Sequence, residues 1–518
     1  MKKQALNPYL PCFEYIPDGE PHVFGDRIYI YGSHDRFDGE MFCLNDYICY
    51  SASVQDLTNW RYEGVIFRKD QDPRNAPKES PDQIPLIYHT IGRYPGGMNR
   101  EGMHALWAPD VVCGPDDRYY LYYCMDFLPE IGVAVCDTPA GKFEYLGLVH
   151  YEDGTPLGKK EGDLIQFDPG VFIDEDHSIY LYSGNAPMHP EDEDPGKGSQ
   201  VMRLKQDMLT LAEAPKRLLP MVTEEKGTGF EGHAFFEASS IRKIQGKYYL
   251  IYSSVLSHEL CYAVSDYPDR DYRFGGTVIS IGDVGLGGRT EKEAVNCLGN
   301  THGSIEQIGE NWYVFYHRQT NRTQYSRQAC AEKIRIEEDG TILQTEVTSC
   351  GLNAAPLEAD GTYPASICCH LTGKNGAAFS DQDVMKWDYP FITQDAPDYG
   401  MGDPDSGLDG DAQARYTKAK GEIHQYIANI QDGTTIGYKY FQIKDAATVF
   451  VKLRGRADGC IRVYTDGTDT LAGSIPVRIF DEDWQTLGGA CSLPEGVHSL
   501  YFVYEGSGWL DMLEFGFA

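Results

Sequence analysis

Four carboxylates and a histidine recur at matching places in a repeated pattern, and their types are those of proton-transfer chemistry. They are Asp18 in IPDGEP, Asp110 in LWAPDV, Asp168 in FDPGVF, Glu237 in FFEASS and His302 in NTHGS. Each precedes a strand-like tyrosine, Tyr29, Tyr120, Tyr180, Tyr249 or Tyr313, by ten to twelve residues. Singly, Asp18, Asp110 and Asp168 read as turn caps, since each neighbours proline or glycine. As a set they read otherwise, because like charges gathered at one point are costly unless they serve something. Glu237 follows two phenylalanines. An acid in an apolar wall keeps its proton to higher pH, which suits a general acid.

The elements that must position these groups are visible around the tyrosines. A turn followed by a short aromatic strand occurs five times: GDRIYIYGS from Gly25, DDRYYLYYC from Asp116, DHSIYLYSG from Asp176, GKYYLIYSS from Gly246 and ENWYVFYHR from Glu310. Gly, Asp or Asn at the turn and alternating Tyr and aliphatic residues after it describe a hairpin entering a half-buried strand. The tyrosines lie 91, 60, 69 and 64 residues apart, room for a four-stranded sheet in each repeat. An all-β chain follows, with a five-bladed β-propeller over residues 1–345 and a long β-sandwich as the alternative. Equivalent positions in successive blades face one axis, so the acids and His302 are expected at one end of it.

Composition limits the partners. With 45 Lys+Arg against 78 Asp+Glu the net charge is -33, which repels polyanions, so nucleic acid and anionic membrane are excluded as partners. No stretch is apolar for about 18 residues, and the start, MKKQALNPYLPCFEYIPDGEP, lacks a signal peptide's apolar run. The 14 cysteines show no CxxC pair and no zinc spacing, so they are expected as buried thiols in a cytoplasmic protein.

The stretch NPYLPCFEYIPDGEPHVFGDRIYIYGSHD, then WAPDV, FDPGVFIDEDHSIYLY, EASSIRKIQGKYYLIY and HGSIEQIGENWYVFYHR, resembles glycoside hydrolase family 43 over residues 7–340. The resemblance implies a five-bladed propeller acting on xylans, arabinans and arabinoxylans. It implies Asp18 as general base, Asp168 as the group that modulates pKa and orients, and Glu237 as general acid. The usual Asp-Pro is replaced by Asp18-Gly19-Glu20-Pro21, which makes Glu20 a competing base. Two carboxyls across an axis, roughly 6.5–9.5 Å apart with water between, perform an inverting hydrolysis. Around them, Trp107 is expected to stack on sugar, Arg318 to donate to sugar hydroxyls, Asp110 to bind substrate, and His34 with Asp35 to shape the pocket floor. The resemblance also suggests His302 as an axial ligand of calcium or another ion.

Residues 67–104 read as an inserted loop that, folded over the axis, favours exo cleavage. Residues 346–385 read as a connecting segment. The acidic stretch DPDSGLDGD from Asp403 lacks the glutamate of an EF-hand. Residues 386–518 read as a β-sandwich, from strands such as TTIGYKYFQI, ATVFVKLRG and HSLYFVYEG. This part resembles a family 6 carbohydrate-binding module, a jelly roll with structural calcium, for which Asp511 is the implied ligand; Trp509 stands where an asparagine usually holds sugar. The expected activity is release of xylose or arabinofuranose from plant-cell-wall oligosaccharides, with no organic cofactor. The alternatives are a propeller phosphorylase, which needs a basic phosphate cradle, and a non-catalytic carbohydrate-binding protein.

Overall fold

The computed structural model describes residues 4–75, 104–380, 388–395 and 423–518, except positions 38, 40, 193 and 445. Most of the 67–104 insertion and the DPDSGLDGD stretch lie outside the described residues. Twenty strands between Glu20 and Leu343 form five four-stranded antiparallel sheets, each built from consecutive strands. The blades span residues 20–67, 106–148, 170–217, 235–280 and 304–343. The first strand of each blade touches the first strands of both neighbouring blades, which closes a ring around the axis.

The tyrosine strands run second in each blade. The turn that enters each of them holds a left-handed residue: Gly25, Asp117, His177, Gly246 or Gly309. That is why Gly and Asp recur at these places. Beyond filling the interblade cores, the tyrosines join the blades. Tyr31 donates its hydroxyl to the Pro139 carbonyl at 2.6 Å, Tyr122 to Met208 at 2.6 Å, Tyr182 to Pro268 at 2.8 Å and Tyr249 to Gly340 at 2.9 Å. Each bond crosses from one blade to the outer turn of the next. The fifth seam is closed by the N-terminal segment: the Asn7 side chain takes both the N–H and the carbonyl of Ala331, and Tyr9 N–H donates to Ala329.

The remaining nine strands form one hydrogen-bonded sheet, whose three longest strands are Thr448–Thr465, Thr470–Ala490 and Gly496–Phe517. A straight 22-residue strand would be about 70 Å long, far beyond a domain of this size, so the sheet must curl. It curls until the two ends of one strand meet: Cys491 bridges Gly473, and Ser492 N–H donates to the Ala472 carbonyl at 2.8 Å. One apolar core fills the roll, including Tyr438, Phe441, Phe502 and Phe515.

The expected connector at 346–385 is corrected, since it supplies strands Leu357–Glu358, Gly361–Pro364 and His370–Thr372 to this sheet. Strands of two to four residues carry too little alternation to be read from sequence. The second unit is also docked firmly. Arg318 donates to the carbonyls of Cys368 and Ser366, and Lys439 is buried against Asp283 at 3.1 Å and Glu346 at 2.9 Å. None of the fourteen cysteines is in a disulfide, and each is at least partly buried. Among the described residues no helix is long and apolar enough to cross a membrane.

The interblade tyrosine bonds are open to test. Tyr182→Phe removes one hydroxyl and leaves the buried end of its bond to Pro268 unmade, so it should destabilise the chain by about 1–2 kcal/mol. A lower urea midpoint with unchanged slope is the expected reading, and an unchanged midpoint would show that the bond contributes nothing.

Candidate active site

All five inner strands begin at the same end of the axis. Asp18, Asp168 and His302 each stand two residues before such a strand, and Glu237 is third in Phe235–Ile244. These four side chains line one cavity of about 650 Å³, together with Trp107, Phe167 and Arg327. The backbone here is strained in a repeated way: φ is 56° at Asp18, 22° at Ala108, 44° at Asp168 and 69° at Ala238. Non-glycine residues adopt this region at a cost of about 1–3 kcal/mol each, and such strain clusters at functional sites. Strand pairing slips on both sides of Glu237, which frees its carboxyl from the regular sheet pattern.

The three acids meet different electrostatic surroundings. Asp18 is buried, which by itself would raise its pKa, but Arg327 donates to Oδ1 at 3.0 Å and pulls the pKa below the ordinary value. Arg327 is fixed in turn by Asp35, bonded through Nε at 2.8 Å and Nη2 at 2.9 Å. His317 accepts the Asp18 N–H on Nδ1 at 3.1 Å, and burial holds it neutral, with its pKa down at about 3.

Asp168 accepts the Ala238 N–H at 3.2 Å, yet burial and then the charges of Glu237 and Asp18 push it well above the carboxylate range. Glu237 is pushed up to about 8 by burial and then by Asp18, against the charge of Arg327 and a hydrogen bond from Asn185 Nδ2 at 3.2 Å. The result is an ionised Asp18 facing an Asp168–Glu237 pair that retains a proton at neutral pH. One group can therefore accept a proton and the opposite pair can donate one.

Five of the expected placements change. Asp110 does not line the cavity; its Oδ1 lies 2.6 Å from His22 Nε2, and Oδ2 accepts the Val171 N–H at 2.7 Å. It sits two residues further along its strand than the catalytic ring, so it belongs to the next layer of the axis. Glu20 is in that layer as well, bonded to Ser240 Oγ at 2.7 Å and Arg242 Nη2 at 2.9 Å, and so does not compete with Asp18. At the equivalent place in blade three stands Gly170, where a side chain would run into the Ser239 carbonyl. Arg318 faces the C-terminal domain instead of the cavity. His34 is buried with Nδ1 on the Asp46 carbonyl at 2.9 Å and Nε2 3.4 Å from Glu14. Asp35 shapes the site only through Arg327.

Calcium takes six to eight oxygens. His302 offers nitrogen, with Nδ1 3.4 Å from Asp168 Oδ2 and 3.9 Å from Asp18 Oδ1, and burial lowers its pKa to about 4. Among the described residues it belongs to no group of three close ligand atoms. Asp511 is occupied by Arg454, whose Nε lies 2.9 Å from Oδ2, so a guanidinium neutralises the charge that calcium would need. Neither place assembles a calcium cage from side chains.

Sequence reasoning missed Arg327, His317, Asn185, Phe379 and Ser380. The last two come from beyond the propeller, held by the pairing of Leu298 with Phe379 and the Ser380 N–H on the Leu298 carbonyl at 2.7 Å. They form part of the cavity wall, so the second unit helps complete the site. Trp107 does line the cavity, edge-on to Phe167 at 5.4 Å, and its buried Nε1 has no hydrogen-bond partner among the described residues.

Known proteins resemble this chain along most of its length. A xylosidase/arabinosidase of Thermoclostridium stercorarium is 45% identical over 518 residues, covering 99% of each chain. An arabinoxylan arabinofuranohydrolase of Paenibacillus polymyxa is 25% identical over 97% of this chain and 73% of its own. Among solved structures, a family 43 arabinoxylan arabinofuranohydrolase from Bacillus subtilis, in complex with cellotetraose, matches 99% of this chain and 97% of its own at 19% identity with a TM-score of 0.48. A β-xylosidase/α-arabinofuranosidase from a compost metagenome, solved with xylotriose in a calcium-free form, matches at 24% identity over 66% and 98%, with a TM-score of 0.47. The model of glycosyl hydrolases family 43 matches residues 7–342, the whole propeller, and the chain belongs to that family.

Proposed function

We propose that this glycosidase releases a terminal xylose or arabinofuranose from plant-cell-wall oligosaccharides, with inversion at the anomeric carbon. The observation that carries the reading is the split protonation of the ring: Asp18 ionised by Arg327, with Glu237 held protonated to about 8 by burial and the Asp18 charge. The relatives named above as xylosidase/arabinosidase and arabinofuranohydrolase support the choice of sugar.

In this mechanism Asp18 takes a proton from a water as that water's oxygen attacks the anomeric carbon. Glu237 gives its proton to the departing glycosidic oxygen, so the C–O bond breaks without releasing an alkoxide. Asp168 lies beside both, and its bond to the Ala238 N–H fixes the turn that carries Glu237. Trp107 supplies an apolar face for the sugar. The enclosing walls, which include Phe42, Phe236 and Phe379, suit a chain end more than an internal unit and favour exo action. The fourteen cysteines, none of them in a disulfide, support a reducing, cytoplasmic setting.

Among the described residues the phosphorylase alternative finds no cradle: Arg318 is spent on backbone carbonyls, Arg36 bonds Asn45 at 3.1 Å, and Arg327 is neutralised by two carboxylates.

Two experiments test the roles. Glu237→Gln should cut kcat on xylobiose by about 10²–10⁴, but much less on an aryl xyloside whose leaving group needs no proton. Asp18→Asn should be equally damaging on both. Similar losses for Glu237→Gln on the two substrates would sink the acid assignment, and a retained anomer in the first-formed sugar would sink inversion.

The pH profile supplies a further check. Activity should fall as acid protonates Asp18, below the ordinary carboxylate pKa, and should fall again above about 8 as Glu237 loses its proton. Asn185→Ala removes a donor that favours ionised Glu237, so the basic limb of kcat/KM should move to higher pH. A shift to lower pH, or none, would separate that limb from Glu237.

A further inference from the structure

Blade four carries a second group of polar side chains, outside the catalytic ring. His233, Glu259 and Cys261 bring Nδ1, a carboxylate oxygen and Sγ within 4.8 Å of one another. Glu259 and Cys261 are two apart on strand Glu259–Ser265, so alternation puts them on one face, and His233 reaches them from the segment that enters strand Phe235–Ile244. His233 Nδ1 lies 2.7 Å from Glu259 Oε1, Cys261 Sγ lies 3.2 Å from the same oxygen, and sulfur and nitrogen are 4.0 Å apart. No spacing in the sequence announces the group, because the fold assembles it from two places in the chain.

The surroundings hold these three groups in place. Ser254 Oγ donates to Glu259 Oε1 at 2.6 Å and Thr277 Oγ1 to Oε2 at 2.9 Å, so two hydroxyls aim the carboxylate. The Tyr252 hydroxyl donates to the His233 carbonyl at 2.8 Å, and Phe274 stacks on the imidazole at 4.9 Å, which fixes the ring. Supporting partners of this kind orient the ligands of metal centres. Glu259 is buried, and among the described residues its ion-pair partner is His233, with no lysine or arginine beside it. The group of Glu20, His22 and Asp110 differs in this respect, because Arg242 already brings a cation to Glu20 at 2.9 Å. Cys261 is buried as well, whereas His233 is partly exposed, which leaves one side of the group open to solvent.

We propose that His233, Glu259 and Cys261 form a site for a zinc-type divalent transition ion. A nitrogen, a thiolate and one carboxylate suit such an ion, whereas calcium and magnesium prefer oxygen throughout. Tetrahedral zinc with these ligands needs about 3.4 Å between nitrogen and oxygen and about 3.6 Å from sulfur to either, so each separation has to change by less than about 1 Å. Binding forms a metal–sulfur bond in place of the Cys261 S–H, whose proton passes to solvent, and the metal replaces any proton held between His233 and Glu259. Three protein ligands leave a fourth position for water on the side where His233 is exposed. His233 stands four residues before Glu237, and Val255, Leu256, Ser257 and His258, just ahead of Glu259, line the catalytic cavity. An ion in this place ties those two segments together.

The test is titration of the full chain, first stripped with a chelator, with Co²⁺ and then Zn²⁺. Cobalt should give the near-ultraviolet charge-transfer band of a cobalt–thiolate bond and the visible bands of a four-coordinate ion, and zinc, but not calcium, should bleach both. Cys261→Ser should lose the thiolate band. Cys261→Ser and His233→Ala should each weaken zinc by about a hundredfold or more, at or beyond the cost of losing a supporting partner. Zinc should also raise the Tm of the unaltered chain and leave that of His233→Ala where it was. His233 is partly exposed, so His233→Ala carries the test if Cys261→Ser does not fold. No thiolate band in the unaltered chain, or equal zinc affinity in His233→Ala, would overturn the site. Persistence of the band in Cys261→Ser would overturn it too, by placing the metal on another cysteine.

Discussion

The bond between Arg327 and Asp18 is the interaction on which the rest of the site depends. Closing five inner strands into a ring forces Asp18, Asp168 and Glu237 into one buried space, and three ionised carboxylates cannot coexist there. Only one charge has a partner. Arg327 keeps Asp18 ionised, while burial first, and then the neighbouring carboxylate charge, presses protons onto the other two acids. Division of labour between base and acid is therefore a consequence of where a single guanidinium stands. Asp35 matters because it fixes Arg327 bidentately, and it reaches the chemistry without lining the cavity.

The propeller converts strand periodicity into layers along the axis. Side chains two residues apart on an inner strand share a face, so the catalytic ring is followed by a layer with Glu20, Asp110, Ser240 and Ser304, and then by one with His22, Arg242 and Glu306. The lower layers are self-satisfied: Ser240 reaches both Glu20 and Ser304, while Arg242 spans Glu20 and Glu306. Below the site one guanidinium thus serves two of the three carboxylates, and hydrogen bonds tie the layers together. Left-handed backbone at Asp18, Ala108, Asp168 and Ala238 belongs to that same layer, where the strands enter the sheet and the side chains must be re-aimed.

What the sequence revealed follows from the same geometry. Asp18, Asp168 and Glu237 were legible because a repeat places equivalents at nearly constant offsets from the tyrosines. Asp110 shared the pattern but at an offset two residues shorter than those of Asp168 and Glu237, which keeps the face and changes the layer. Arg318 failed by parity: its neighbour His317 turns toward Asp18, so alternation sends Arg318 to the opposite face and into the domain seam. Arg327 and Asn185 come from a third strand and from a loop, positions that no repeat marks.

The C-terminal unit was legible as a β-rich domain but not as a participant. Its long strands alternate plainly, whereas its link to the propeller consists of short strands and single backbone bonds that carry no periodic signal. Yet these place Phe379 and Ser380 in the catalytic wall, while Arg318 and Lys439 bury their charges at the seam. Charges so placed would be left without partners if the domains parted, and an unpaired buried charge is far more costly than an exposed one. The propeller is therefore not self-sufficient here: the groups that dock the second domain need it in place, and the cavity they border is shaped for substrate only when it is.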